Sequence, residues 1–290
     1  EHELKMSISL GISNAKFMNE EFTFIDCPGS NEFINEFLQA AKISDLCVIV
    51  FEPVKEKILS LVPYFYYLNT MKIPHILFIN KVDSINFDIK DLLGLIQEYS
   101  PRPLVIRQIP MREGDKIIGS ADVIHERAYK YEKEKPSQIV KIPEELSSIR
   151  SEIREKMLET LADFDDTLME KILEDVPTTN EEIYENLKKD IASNKIVEVL
   201  TGSAENETGI RRLLKSIRHD SPTYEETINR NGYKFDQKAT FIQVFKTNFI
   251  PHRGKQSIAR IWSGNLQEGQ SLQGNIRLQN LFSLKGKEFI

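Results

Sequence analysis

The chain has 290 residues, of which 40% are hydrophobic and 28% charged, and its formal net charge is -6. That length predicts roughly two domains with ample core, and the acidic balance carries no basic signature of nucleic-acid binding. No apolar run approaches the length of a membrane span, the opening EHELK is not a signal peptide, and Cys27 and Cys47, the only cysteines, form neither a disulfide framework nor a zinc pattern. A reducing cytoplasm fits this usage, with no membrane as partner. The start at Glu1 without methionine and the stop after LKGKEFI are the pattern expected of a piece of a longer protein.

In chain order, Met6 to Ile12 alternates like a strand, and Phe22 to Asp26 can pair with it across a connection containing Asn14 and Asn19. Phe22 to Ser30, FTFIDCPGS, is an apolar run that delivers Asp26 to a sharp turn through Pro28 and Gly29. Phe33, Phe37 and Ala40 or Ala41 recur at helical spacing between Glu32 and Lys42. Leu46 to Phe51 is a continuous apolar strand, a helix is predicted from about Lys55 to Asn69, and His75 to Asn80 reads as another buried strand. Strand and helix in alternation imply right-handed parallel crossovers and an α/β, doubly wound sheet.

After Asp83 the pattern changes. A short helix around Lys90 to Tyr99 leads to Leu104 to Pro110, a turn at Gly114 and Ile117 to Ile124, which read as antiparallel pairing. Glu144 to Leu173 and Glu181 to Ala192 read as long amphipathic helices separated at Pro177. The sheet pattern resumes at Ile196 to Thr201, followed by a helix from about Gly209 to His219. Ser221 to Gln237 reads as a polar linker, after which Thr240 to Lys246, Gln256 to Trp262 and the turn Gln267 to Gln270 open an all-β module. The expected domains are thus residues 1–84 and 195–222 as one α/β domain, 85–194 as its α+β insertion, 223–237 as linker and 238–290 as the start of a β-domain.

Three loops at strand ends line up: Asp26 after the first, Asn80-Lys81-Val82-Asp83 after HILFI, and Gly202-Ser203-Ala204 after IVEVLT. In open α/β sheets ligands bind at these carboxyl ends. A guanine base explains all three, because a carboxylate such as Asp83 accepts from the ring N1 and exocyclic N2 hydrogens that adenine lacks. The Lys81 stem can cover the ring, Asn80 can tie its loop to neighbours, and the Ala204 N–H can donate to the guanine O6. Asp26 would reach a magnesium ion through water, and the Gly29 N–H could meet a terminal phosphate. His2, His75, His125, His219 and His252 show no ligand spacing, and Asp163, Asp165 and Asp166 read as a solvated face. Arg211, Lys215 and Arg218 share one helical face beside Arg212, again read as solvated.

With these residues in place the chain resembles a translational GTPase, specifically elongation factor G and its elongation-factor-G-like branch, which shares the IDCPGS form of the loop. DCPG resembles the family's DTPG, NKVD its guanine motif and GSA its third base-contacting loop, so Asp26, Pro28, Gly29, Asn80, Lys81, Asp83, Ser203 and Ala204 take over its nucleotide-binding positions. The segment 85–194 is similar to the family's G-prime insertion, and QVFKTNFIPHRGKQSIARIWSGNLQEGQSL to the start of its β-barrel second domain. EHELKMSI resembles the end of switch I and puts Ser7 at the magnesium-binding threonine, with Asp26 as the second metal position. The resemblance implies a P-loop-NTPase-type G domain that binds GTP and GDP with Mg2+, hydrolyses GTP to GDP and phosphate, and acts in protein synthesis as a monomer on the ribosome, against rRNA and stalk proteins.

Departures from the family pattern qualify this expectation. The phosphate-cradling GxxxxGKS/T loop would precede Glu1, so this stretch by itself is expected to bind nucleotide weakly or not at all. Ser30 stands at the position of the histidine that positions the attacking water and is too short to reach it, which slows turnover. Lys5 and Leu4 replace a glycine and an arginine of switch I. Cys27 is a near-isosteric replacement for threonine and reads as a packed, inert thiol. The alternatives left open are a non-hydrolysing GTP-binding switch or ribosome-docking protein, and a scaffold without a nucleotide site.

Overall fold

The computed structural model describes residues 6–85, 87–114, 116–125, 127–132, 135–236, 238–252, 254–273, 276–282, 284–285 and 288–289. Leu4, Lys5 and His2 lie outside the described residues. Two compact units divide the chain: residues up to Ser44 together with those from Asn231 onward, and Asp45–Arg230.

The first unit opens with the antiparallel pair β1 (Gly11–Phe17) and β2 (Glu20–Asp26). The strand expected over Met6 to Ile12 is therefore displaced toward the C-terminus, and Asn14 sits within β1, not in the connection. The turn is Met18-Asn19, with φ of 49° and 67°. Two consecutive positive φ values make the tight mirror-image turn whose twist matches paired strands, and asparagine tolerates that conformation. Asn14 pairs with Thr23 in register, and the Thr23 hydroxyl donates to Asn14 Oδ1 at 2.8 Å. A single 3-10 turn (Asn31–Phe33) then leads into α1 (Ile34–Ile43), which buries Phe37, Ala40, Ala41 and Ile43 at helical spacing.

The second unit is built on a four-stranded parallel sheet. Its members are β3 (Cys47–Phe51), β4 (His75–Ile79), β10 (Val197–Thr201) and β5 (Leu104–Ile106), in the spatial order β3-β4-β10-β5. All five residues of β4 and of β10 are buried, as continuous apolar strands covered on both faces should be. The expected crossover sheet is realised from β3 onward, whereas β2 pairs only with β1 among the described residues. The helix foreseen after β3 is two: α2 (Lys55–Leu59) and α3 (Val62–Thr70). Pro63 explains the break, since its ring lacks an N–H and clashes with the carbonyl four residues back.

After β4 comes α4 (Ile89–Gln97), capped by Asp88, whose carboxylate accepts from the Lys90 and Asp91 N–H groups. The run Leu104 to Pro110 splits. β5 joins the parallel sheet, and only the following strand turns antiparallel. The second sheet holds β6 (Gln108–Glu113), β7 (Lys116–Asp122), β8 (Ala128–Glu132) and β9 (Lys135–Val140) in consecutive order. β8 and β9 are absent from the sequence-level expectation because their polar residues alternate with few apolar ones. Helices α5 (Glu144–Ala162), α6 (Asp166–Leu173) and α7 (Asn180–Ala192) follow, and Met157, Leu161, Leu168, Ile183, Leu187 and Ile191 share one core with Ile109, Met111 and Ala121 of the second sheet. The expected continuous helix to Leu173 is interrupted at Asp165. Its extended backbone and carboxylate, which accepts from Leu168 N–H at 3.0 Å, begin a new helix, so this aspartate is a cap and not only a solvated charge. α7 opens on a capping box of Thr179 and Glu182.

The chain returns to the parallel sheet as β10, then forms α8 (Ile210–Asp220) and α9 (Tyr224–Arg230), the latter inside the stretch read as linker. A buried ionic cluster lies where these elements meet. Arg107 Nη1 is 2.7 Å from Glu198 Oε1 of β10 and 2.7 Å from Asp220 Oδ2 of α8, and all three side chains are nearly inaccessible. Ser216 donates to Glu198 at 3.0 Å, Arg212 reaches Asp122 of β7 at 3.2 Å, and the Arg107 guanidinium sits over the Tyr184 ring. Burial opposes the Arg107 charge, yet the two carboxylates hold it protonated. Burial and the neighbouring Asp220 raise the Glu198 pKa in spite of Arg107. Arg212 thus leaves the basic surface group, while Arg211 stays exposed.

The rest of the first unit is a long bulged hairpin, β11 (Phe241–Ile250) and β12 (Gly254–Ser263), followed by the short pairs β13 (Ser271–Leu272) with β14 (Ile276–Arg277) and β15 (Leu284–Lys285) with β16 (Glu288–Phe289). Glu36 of α1 accepts from the Leu10 N–H and from Lys246 of β11, which ties three segments of this unit together. Arg260 stacks 4.0 Å above Trp262 and donates to the Ile43 carbonyl at the end of α1. Among the described residues no helix is long and apolar enough to cross a membrane.

Replacing Arg107 with leucine leaves two carboxylates buried without their cation, and the expected loss is about 3–5 kcal/mol in urea unfolding at neutral pH. His75, fully buried with Nδ1 3.0 Å from the Ile73 carbonyl, has its pKa lowered by burial from 6.5 to about 4. The unfolded state then binds the extra proton between those values, so stability present above pH 6.5 is lost as pH falls toward 4. His75→Phe should remove about 3 kcal/mol of that acid-side loss, measured as unfolding free energy against pH.

Candidate functional site: the loops at the strand ends

The second unit brings two of the three expected loops together. β4 ends at Ile79, and Asn80 N–H donates to the Phe51 carbonyl at the end of β3 (2.8 Å). Gly202 N–H donates to the Ile79 carbonyl at 2.9 Å and Val82 N–H to the Gly202 carbonyl at 3.3 Å, so the loops after β4 and β10 are joined through their backbones. Side chains extend the join. Asn80 Oδ1 accepts from the Ala204 N–H at 2.9 Å, and Asp83 Oδ2 accepts from Asn206 Nδ2 at 2.7 Å. Asn80, Lys81, Asp83, Ser203 and Ala204 thus form one constellation at the carboxyl edge of the parallel sheet.

Its rigidity has a steric origin. Ser203 and Thr208 exchange two backbone hydrogen bonds of 2.9 Å, closing the loop between them. A Cβ on Gly202 would lie 2.4 Å from the Thr208 carbonyl oxygen and 2.6 Å from the Phe78 ring. Gly209, at φ 78°, would bring a Cβ within 2.4 Å of the Thr201 carbonyl oxygen. Both positions therefore require glycine.

Lys81 adopts a left-handed φ of 57°, rare for a long side chain, and its carbonyl accepts from the Ser84 and Ile85 N–H groups. Its ammonium is 2.7 Å from Glu52 Oε1, and that hydrogen bond lowers the Glu52 pKa and raises that of Lys81. Glu52, just past β3, is not singled out by the sequence motifs; an acid directly after a buried strand in this unit is the signal that marks it. Asp83 Oδ1 is buried without a hydrogen-bond partner while Oδ2 is held. A half-satisfied carboxylate beside an exposed loop is suited to a ligand that offers N–H groups.

The remaining expected residues lie in the first unit. Asp26 is exposed at the end of β2, Pro28 is buried and Gly29 exposed. Ser7 is exposed, four residues before Gly11, the register partner of Asp26. Ser30 caps the turn that precedes α1: its hydroxyl accepts from Glu32 N–H at 3.4 Å, and its carbonyl from Phe33 N–H. Cys27 is largely enclosed, with weak Sγ contacts of 3.9 Å to the Ile25 and Glu36 carbonyls. Burial first, then the Asp26 and Glu36 charges, push its thiol up to about 11. Among the described residues no group of three or more His, Cys, Asp or Glu side chains converges as a metal cluster. Mg2+ needs only one or two protein oxygens beside water and phosphate, so the Asp26 carboxylate and Ser7 hydroxyl are a chemically suitable pair.

A family model described as the elongation factor Tu GTP binding domain matches residues 1–223. The chain belongs to this family. It is 36% identical over 285 residues to an elongation factor G-like protein of Synechocystis, an alignment covering 98% of this chain and 42% of that protein. The chain thus spans less than half the length of that curated relative. A solved structure from Thermus thermophilus superposes with a TM-score of 0.83 at 24% identity, over 99% of this chain and 43% of that one, and shares the fold. The two sequence matches place the chain among the translational GTPases of the elongation-factor-G type.

The thiol chemistry gives a direct check. At pH 8 only about one Cys27 in a thousand is ionised, so alkylation by iodoacetamide should run about a hundredfold slower than for a free thiol and accelerate as pH approaches 11.

Proposed function

We propose that this chain is the GTP-binding part of an elongation-factor-G-like protein that binds GTP and GDP and hydrolyses GTP slowly while acting on the ribosome. The observation that carries the base assignment is Asp83, with one oxygen fixed by Asn206 and the other buried and bare. Guanine supplies the two adjacent N–H donors that such a carboxylate accepts, and adenine does not. The Lys81 stem lies over the ring, and the Ala204 N–H turns from Asn80 Oδ1 to the guanine O6 when the base enters.

In this reading Asp26 and Ser7 would hold Mg2+, which would neutralise phosphate charge when bound. The Gly29 N–H meets the terminal phosphate, and Pro28 shapes its turn. Water attacks the γ-phosphorus, the bond to the β–γ bridging oxygen breaks, and GDP and phosphate leave. In such transfers the protein chiefly positions and stabilises. Ser30 occupies the water-positioning place, but its hydroxyl is short and engaged as a cap, which supports slow turnover and keeps open the second reading, a GTP-binding switch without hydrolysis.

Residues 1–84 and 195–222 are assigned to the G domain, 85–194 to its insertion, 223–237 to a linker and 238–290 to the start of a β-barrel. The protein is taken to work as a monomer in the cytoplasm, with rRNA and ribosomal stalk proteins as partners. The test uses the full-length protein with ribosomes. Micromolar GDP binding by calorimetry and slow GTP turnover are expected, and Ser30→His should raise turnover by about a hundredfold, the usual worth of a positioned acid–base group. Absence of guanine-nucleotide affinity would overturn the reading, and no turnover even with Ser30→His would leave the switch.

A further inference from the structure

The Asp83 carboxylate is aimed by a residue outside the family motif. Asn206 Nδ2 donates to Asp83 Oδ2 at 2.7 Å, and among the described residues no other side chain hydrogen-bonds this carboxylate. The backbone of Asn206 is held in place: its N–H donates to Ser203 Oγ at 3.4 Å, and the loop carrying it is closed by the paired backbone bonds of Ser203 and Thr208. Ser203 therefore turns its hydroxyl acceptor to its own loop, and the aim of Asp83 is left to the amide.

The torsion of a carboxylate about its last bond is soft and roughly two-fold. A single fixed hydrogen bond removes that freedom. Asn206 takes one lone-pair direction of Oδ2 and leaves the other, with both on the buried Oδ1, for a ligand. Two adjacent oxygens in a fixed plane match two adjacent donors, a ring N–H beside an exocyclic amine. One freely rotating carboxylate does not discriminate as well, because each extra donor must then order it.

We propose that Asn206 is a positioning residue for base selectivity: it sets the plane of the Asp83 carboxylate, so that a purine offering both donors is preferred over one offering the ring N–H alone. This rests on the guanine-nucleotide reading above.

The experiment measures Kd for GDP and for inosine diphosphate, which keeps the ring N–H and lacks the amine, on the full-length protein and its variants. Asn206→Ala should weaken GDP about tenfold and inosine diphosphate less, so that the preference for GDP falls several-fold. Asn206→Asp sets a second negative charge against Asp83 and should weaken GDP further. A ratio of two ligands on one variant is insensitive to partial unfolding, so a merely structural role would leave it unchanged. An unchanged ratio in both variants overturns the positioning role. Asp83→Asn separates the two claims, since it presents a donor and should exchange GDP for xanthosine diphosphate, which carries an oxygen in place of the amine. If Asp83→Asn switches the base and the Asn206 variants keep the ratio, the positioning role alone fails. If Asp83→Asn switches nothing, or the wild type binds no guanine nucleotide, both fall.

Discussion

The Arg107 guanidinium between Glu198 and Asp220 is the interaction on which the second unit depends. It joins the residue linking β5 to β6, a strand in the middle of the parallel sheet and the last turn of α8. A buried ion pair contributes little net stability, because desolvation offsets the attraction, but a wrong arrangement of these segments would leave charge unpaired in the interior. Losing any one member of the cluster strands a charge in the interior. Asp122 and Arg212 extend it to β7, so the insertion and the parallel sheet share one set of charges.

That register matters for the loops at the strand ends. Glu198 lies on the same strand that ends at Thr201 and hands the chain to Gly202, Ser203 and Ala204. Fixing the strand fixes the loop, and the close approach of Gly202 and Gly209 to backbone carbonyls removes what slack remains. Asn80 and Asp83 then meet partners, Ala204 and Asn206, on an exposed loop that the Ser203–Thr208 backbone pair closes. Preorganisation of this sort keeps the entropy of ordering out of the binding step.

What was legible in the sequence followed the strength of its periodic signals. LCVIVF, HILFI and IVEVLT announced the parallel strands, and the acids and glycines at their ends announced the loops. The insertion was less legible. In β8 and β9, Tyr129, Lys130 and Gln138 replace the alternating apolar residues that would mark strands, because one face of that sheet is not deeply buried. Pro63 and Asp165 each divide a helix that composition alone makes continuous. Arg107 and Glu198 were visible only as charges interrupting apolar runs, LVIRQI and IVEVLT, a pattern that signals buried pairing when the partner strand is also apolar. Asn206 left no pattern, since its role arises from loop geometry.

The adjacency of β5 and β10 has a consequence for how the molecule assembles. Leu104 pairs with Val197, so about 90 residues must be gathered before these neighbours can meet. Closing so long a loop is slow when the intervening chain is open and much easier once it has collapsed. The insertion, with its consecutive antiparallel strands and locally capped helices, is rich in short-range contacts. In the folded insertion the two ends of that long loop, Leu104 and Val197, lie side by side, so the outer edge of the parallel sheet and the insertion are completed together.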